Sequence, residues 1–169
     1  MEDNIINKVA GSELISLNLE DYYLPGERVV FDIKDWLYEG LLLREKDFRA
    51  SIKEQDWSQY KDKYVAITCS TDAIVPTWAY MLIALHLEPF SKKSVFGDLI
   101  LLETVLFDAI INTINPLDFK DQRVVIKGCG DLPIPVSAYV EIARKLRPYV
   151  KSIMYGEPCS TVPLYKNKQ

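Results

Sequence analysis

Along this chain, short β-branched runs alternate with segments whose apolar residues recur every three or four positions. Val65-Ala66-Ile67-Thr68 and Val124-Val125-Ile126 are bounded by polar turns and predict buried strands. Each is followed by a loop and then a proline, Pro76 or Pro135, placed to open a helix, where its missing N–H would lack an intrahelical partner anyway. Ala79, Ile83 and Leu87, and likewise Ala138, Ile142 and Leu146, fall at i, i+4, i+8 and mark one helical face, with Pro89 and Pro148 as stops. Short strands at 94–96 and 152–155 follow, each leading through an aromatic residue and a glycine to an acid. Residues 99–113 predict a strongly apolar helix. Upstream, 14–19 and 29–36 predict strands and 44–55 a polar helix.

The two strand–helix–strand segments are versions of one pattern. Residues 60–98 align with 119–157 at a constant offset of 59 without gaps, and 14 of 39 positions are identical. The expected architecture is therefore α/β: a mostly parallel sheet with helices on its faces, built from an internal duplication plus an N-terminal strand and helix segment. The whole, 1–169, is expected to form a single domain with two pseudo-repeats. The copies differ in polarity. The helix opened by Pro76 is apolar nearly all round, with Trp78, Tyr80, Met81, Leu82 and Leu85, whereas its counterpart carries Ser137, Glu141, Arg144 and Lys145. An all-apolar helix is expected to be covered on more than one side, by the N-terminal segment or by a second subunit in a homodimer.

Apolar residues make up 49% and charged residues 26% of 169 residues, a globular balance, and the net charge of −4 offers no basic footprint for nucleic acid. The acidic start, Met1-Glu2-Asp3-Asn4, predicts no secretory signal. No apolar run reaches the roughly 18 residues of a membrane span. Three cysteines are too few for a disulfide framework, so a cytoplasmic setting with free or metal-bound thiols is expected.

In parallel α/β sheets ligands collect beyond the carboxyl ends of strands. Three segments should emerge there: Thr68-Cys69-Ser70-Thr71-Asp72, Gly128-Cys129-Gly130-Asp131 and Gly156-Glu157-Pro158-Cys159-Ser160-Thr161. They hold all three cysteines. If they meet at one rim, Cys69, Cys129 and Cys159 could hold zinc or an iron–sulfur cluster, with Asp72, Asp131 or Glu157 as fourth ligand. Two other readings stand beside this one: a small thiol-dependent enzyme using Cys69 or Cys159, and a dimeric structural or interaction module with inert core cysteines. His86, the only histidine, lies about 15 Å of helix away from the helix start and is expected at the opposite end as a surface or capping residue. The positions where an oxyanion-holding arginine would sit are Val75, Pro135 and Tyr165, and Gly128-x-Gly130 lacks a third glycine, so phosphatase-type and dinucleotide loops are disfavoured. Asp98 is expected to cap the helix at 99–113, and Tyr80 and Tyr139 to be core residues with partnered hydroxyls.

Several stretches together carry a resemblance: Phe31-Asp-Ile-Lys-Asp-Trp-Leu37, Tyr64-Val-Ala-Ile-Thr-Cys-Ser-Thr-Asp72, Pro76-Thr-Trp-Ala-Tyr80, Arg123-Val-Val-Ile-Lys-Gly-Cys129 and Met154-Tyr-Gly-Glu-Pro-Cys-Ser-Thr-Val-Pro163. With these the chain resembles, over nearly its whole length, the bacterial domain-of-unknown-function family numbered 2480. The resemblance implies a small cytoplasmic bacterial protein, and it implies iron–sulfur assembly components as partners, because members are often encoded beside them.

Overall fold

The computed structural model describes residues 14–127 and 130–167. Among them are seven strands and four helices. In chain order these are β1 (Leu14–Asn18), β2 (Arg28–Asp32), α1 (Glu45–Glu54), β3 (Tyr64–Thr68), α2 (Thr77–Leu87), β4 (Lys93–Phe96), α3 (Leu99–Thr113), β5 (Arg123–Lys127), α4 (Val136–Leu146), β6 (Ser152–Glu157) and β7 (Ser160–Lys166). The strands form two sheets, in the orders β2-β3-β4 and β1-β5-β6-β7, where one mostly parallel sheet was expected from the sequence. All pairings are parallel except β6 with β7. The residues fall into two compact units, a central one (Leu24–Leu106) and a terminal one that joins the first residues to those from Phe107 onward.

In the central unit, β3 lies between β2 and β4, with Arg28 opposite Tyr64 and Ile67 opposite Phe96. Val65 and Ile67 face α1 and α2, where Phe31, Phe48, Trp57, Ala79 and Ile83 complete a buried cluster. Tyr64 and Ala66 point to the other face, against Leu102 and Leu106 of α3. Alternate residues of β3 thus feed two cores, which is why its sequence is apolar throughout. In the terminal unit, Val124 and Ile126 of β5 meet Ala138, Ile142 and Leu146 of α4 and Phe107 and Ile111 of α3.

Local polar chemistry sets the element ends. Asn18 and Asp32 each close a strand by accepting a hydrogen bond two residues on, from Glu20 N (3.2 Å) and Lys34 N (3.1 Å). This starts a 3₁₀ turn, so the strand expected over 29–36 ends at Asp32 and continues as Ile33–Trp36 in 3₁₀ form. Asp98 accepts from Leu101 N at 2.8 Å and caps α3 as expected. Asp62 and Asp121, both in the left-handed region at φ 59° and 60°, turn the chain into β3 and β5. Their N–H groups donate to Phe90 O (3.0 Å) and Tyr149 O (2.9 Å), so the same contact recurs at the offset of 59.

Ser160–Lys166, to which the sequence pattern assigns no element, forms β7. Among the described residues, the apolar helix α2 buries Ala79, Ile83 and Leu87, while Met81 and Leu85 are 61% and 69% exposed.

Candidate functional site

The carboxyl end of the central sheet gathers polar side chains from two neighbouring strands. Asp32 ends β2 and pairs in register with Thr68, which ends β3. The chain then runs through Cys69 and Ser70 towards α2. The Asp32 carboxylate holds this loop, because Oδ1 accepts from Ser70 N at 3.1 Å while also receiving Lys34 N. The Lys34 ammonium lies 3.6 Å from Oδ2. Partial burial pushes the Asp32 carboxyl up. The Ser70 hydroxyl, the N–H groups of Lys34 and Ser70 and the Lys34 charge outweigh that push and hold it below the ordinary aspartate value of 3.8.

A lowered carboxyl contributes stability above the unfolded value and loses it as pH falls through the folded one. Asp32→Asn keeps one acceptor oxygen and loses the ionic part, a deficit of roughly 1 kcal/mol near neutral pH. In thermal melts across pH, that deficit relative to wild type is expected to shrink once pH drops below about 3.8.

Cys69 follows Val65 and Ile67 on the α2 face of the sheet and is half-buried against the central core. Its thiol donates to Thr71 O at 3.4 Å and lies 3.4 Å from Thr71 Oγ1. Tyr80, from the first turns of α2, has the Cys69 thiol as an electrostatic neighbour. Burial, then the neighbouring Cys69 and Asp32, hold its phenol above the ordinary tyrosine value, so it remains a hydroxyl donor.

Tyr80 also forms one wall of an open cleft of about 410 Å³ between α2 and β4, whose lining includes Ile67, Thr77, Met81, Ala84, Ser94 and Phe96. The Tyr80 and Phe96 rings meet edge to face, 4.8 Å between centroids. The lining is mostly apolar with a few hydroxyls, the usual make-up of a small-molecule site.

The other expected site residues are distributed as follows. Asp72 is exposed in the loop after Cys69. Cys129 lies outside the described residues, and Asp131 just beyond it is exposed. The loop there is tied down by Glu20, which accepts from Leu132 N at 3.0 Å, and a Cβ on Gly130 would collide with that carboxylate. Cys159 is an exposed, free thiol in the two-residue turn between β6 and β7. Glu157 at the same hairpin end pairs with Lys127 Nζ at 3.0 Å. Cys69 and Cys159 thus belong to different units. Among the described residues no three His, Cys, Asp or Glu side chains group so as to hold a metal ion. His86 is half-buried rather than on the surface, with Nδ1 2.9 Å from Leu82 O and its ring 5.2 Å from Trp57.

Asp32 and Glu20 were missed as loop-holding carboxylates. For Asp32 the signal was present, since it sits where a β-branched run meets a polar turn; Glu20 meets Leu132 across 112 residues and had no local signal. No helix among the described residues is long and apolar enough to cross a membrane. No curated protein matches the chain, and no solved structure does. Residues 3–167 match the family model described as protein of unknown function (DUF2480), and the chain belongs to that family.

Proposed function

We propose that this protein binds a small molecule in the cleft between α2 and β4, with the Cys69 thiol, a neighbour of Tyr80 in the cleft wall, as the reactive group. The supporting observation is Tyr80, one side chain that lines the cleft and is electrostatically coupled to the Cys69 thiol. The fitting ligand has an apolar body, lying along Met81, Ala84 and Phe96, and a carbonyl or hydroxyl head that can take the Tyr80 hydroxyl. Asp32 acts through the loop: it fixes Ser70, and thereby where the sulfur sits.

The test is a series of chloroacetamides carrying progressively larger alkyl or aryl groups. Alkylation forms the S–C bond and releases chloride, and peptide mass spectrometry reads each thiol separately. The rate at Cys69 is expected to rise about tenfold with the apolar group, equivalent to ~1.4 kcal/mol of binding, while exposed Cys159 shows no such trend. Ala84→Phe, which fills the cleft, should abolish the trend and leave iodoacetamide labelling of Cys69 unchanged. Equal size dependence at the two thiols would sink the proposal.

The second reading is a metal or iron–sulfur accessory protein using Cys69, Cys129 and Cys159, with Asp72, Asp131 or Glu157 beside them. It draws on two thiols that are free, Cys69 and Cys159. Anaerobic purification with metal analysis and a visible spectrum decides. Stoichiometric zinc, or iron with cluster absorption lost on replacing any one cysteine, would favour it over the cleft.

A further inference from the structure

Among the described residues β4 is an edge strand of the central sheet and pairs with β3 on one side only. Gly97 N donates to Ile67 O, and Ile67 is in register with Phe96. Val95 and Gly97 therefore turn their main-chain groups towards β3, and Ser94 and Phe96 turn theirs outward. In the terminal unit the strand at the matching offset, β6, carries β7 antiparallel on its second side. After β4 the chain enters α3 instead. Met81 and Phe96 line the cleft beside this edge, Phe96 itself 61% exposed, and Leu85, one helical turn on from Met81, is exposed as well.

We infer that the occupant of this edge is a second copy of the chain, paired antiparallel through β4 about a two-fold axis at Val95. Antiparallel partners must present outward groups to each other, so opposing residues share parity. Four self-pairings then centre within the strand. Centring on Phe96 opposes two bulky rings, centring on Ser94 sets Phe96 against Lys92, and centring on Lys93 opposes two lysines. Centring on Val95 sets Ser94 opposite Phe96 twice, large against small.

The same register brings Lys92-Lys93 at the start of the edge alongside Gly97-Asp98 of the partner, again twice. Asp98 and both lysines are exposed. A parallel addition would stack lysine on lysine. A lysine on an edge strand discourages foreign strands; here only the two-fold register meets it with a carboxylate, which makes the contact selective.

A two-fold axis normal to the sheet keeps both α2 helices on one face, so Met81 and Leu85 cover their counterparts. The partner's Phe96 then stands over Ser94 at the mouth of the cleft and completes its wall. The pairing goes beyond the ligand reading and stands whether or not the cleft binds a small molecule.

Light scattering of the full chain at micromolar concentration should give twice 19.4 kDa. Leu85→Glu and Met81→Glu alter exposed side chains, so each should weaken the dimer at least about tenfold while the melting temperature of the monomer holds. Val95→Cys places two sulfurs opposite each other in a non-hydrogen-bonded pair, with Cα atoms about 4.5 Å apart, suited to a disulfide. Mild oxidation of that variant should yield a peptide cross-linked through position 95 of both copies. A monomer at all concentrations overturns the inference. So does a dimer that ignores Leu85→Glu and gives no such peptide, or a monomer that dimerises only after residues 1–13 are deleted, which would assign the edge to the chain's own N-terminal segment.

Discussion

Replacing Glu103 with alanine is expected to destabilise the protein by about 3–5 kcal/mol, read as a fall in the denaturant midpoint. Glu103 sits on α3, only 7% exposed. It receives Arg28 Nε at 2.5 Å and Nη2 at 3.3 Å, a two-pronged contact between a helix and the start of β2. Arg28 Nη1 also donates to Leu24 O (2.7 Å) and Gly26 O (2.6 Å), and the guanidinium lies 4.7 Å from the Tyr64 ring centroid. The arginine is thus fixed from several sides and cannot swing out to water when its carboxylate goes. Alanine would take the Glu103 carboxylate from a desolvated cation, and that penalty, more than the lost attraction, makes the effect large.

The same reasoning fixes the controls. Glu103→Gln retains one acceptor and should cost clearly less than alanine. Arg28→Met with Glu103→Leu removes both charges and refills the volume, so it should recover most of the loss. A double variant as unstable as Glu103→Ala would show that the pair contributes by attraction, and that the uncompensated-charge account is wrong.

Glu103 shows where the sequence was opaque. In the sequence it only interrupts an apolar run, and its partner lies 75 residues away. By contrast, β3, α2, β5 and α4 were legible because each rests on local chemistry: β-branched runs, a proline at the helix start, apolar residues at i, i+4, i+8. The division into two sheets was not legible, since β1 pairs with β5 and β2 with β3, and strand choice depends on contacts far apart in the chain. β7 was hidden by Pro163, which reads as a strand breaker. As an outer strand β7 tolerates a missing donor, and the register shift at Ile153/Met154 absorbs the irregularity beside it.

The strand-end rule pointed to the segment around Cys69, and Tyr80, a wall of the cleft, has that thiol as an electrostatic neighbour. The identity of the neighbours was not visible, because Tyr80 and Asp32 come from other elements, and Asp32 meets the loop at Ser70 only through packing. The matching offset could have placed Tyr80, since Tyr139 makes the same edge-to-face contact with Tyr155 that Tyr80 makes with Phe96. Both aromatic pairs follow from one pattern, a helix residue over the strand's last aromatic.

Phe48→Ala is expected to lower stability by about 3–5 kcal/mol, the cost of emptying a fully enclosed aromatic position. Phe48 is wholly buried. Its ring meets Trp36 edge to face at 5.6 Å and Trp78 at 5.7 Å, and Trp36 continues the cluster to Phe31 at 5.0 Å. Phe31 in turn stacks on Trp57 at 5.6 Å, whose Nε1 is anchored to Ile52 O at 3.0 Å. Rings held on several sides relax little into a void, so the cavity term should stay near its full value. All three tryptophans of the chain belong to this cluster, so tryptophan emission follows this core directly. Phe48→Leu, which leaves a smaller gap, should lose about 1–2 kcal/mol. Equal losses for the two variants would mean that edge-to-face ring contacts, and not filled volume, carry the stability of the central unit.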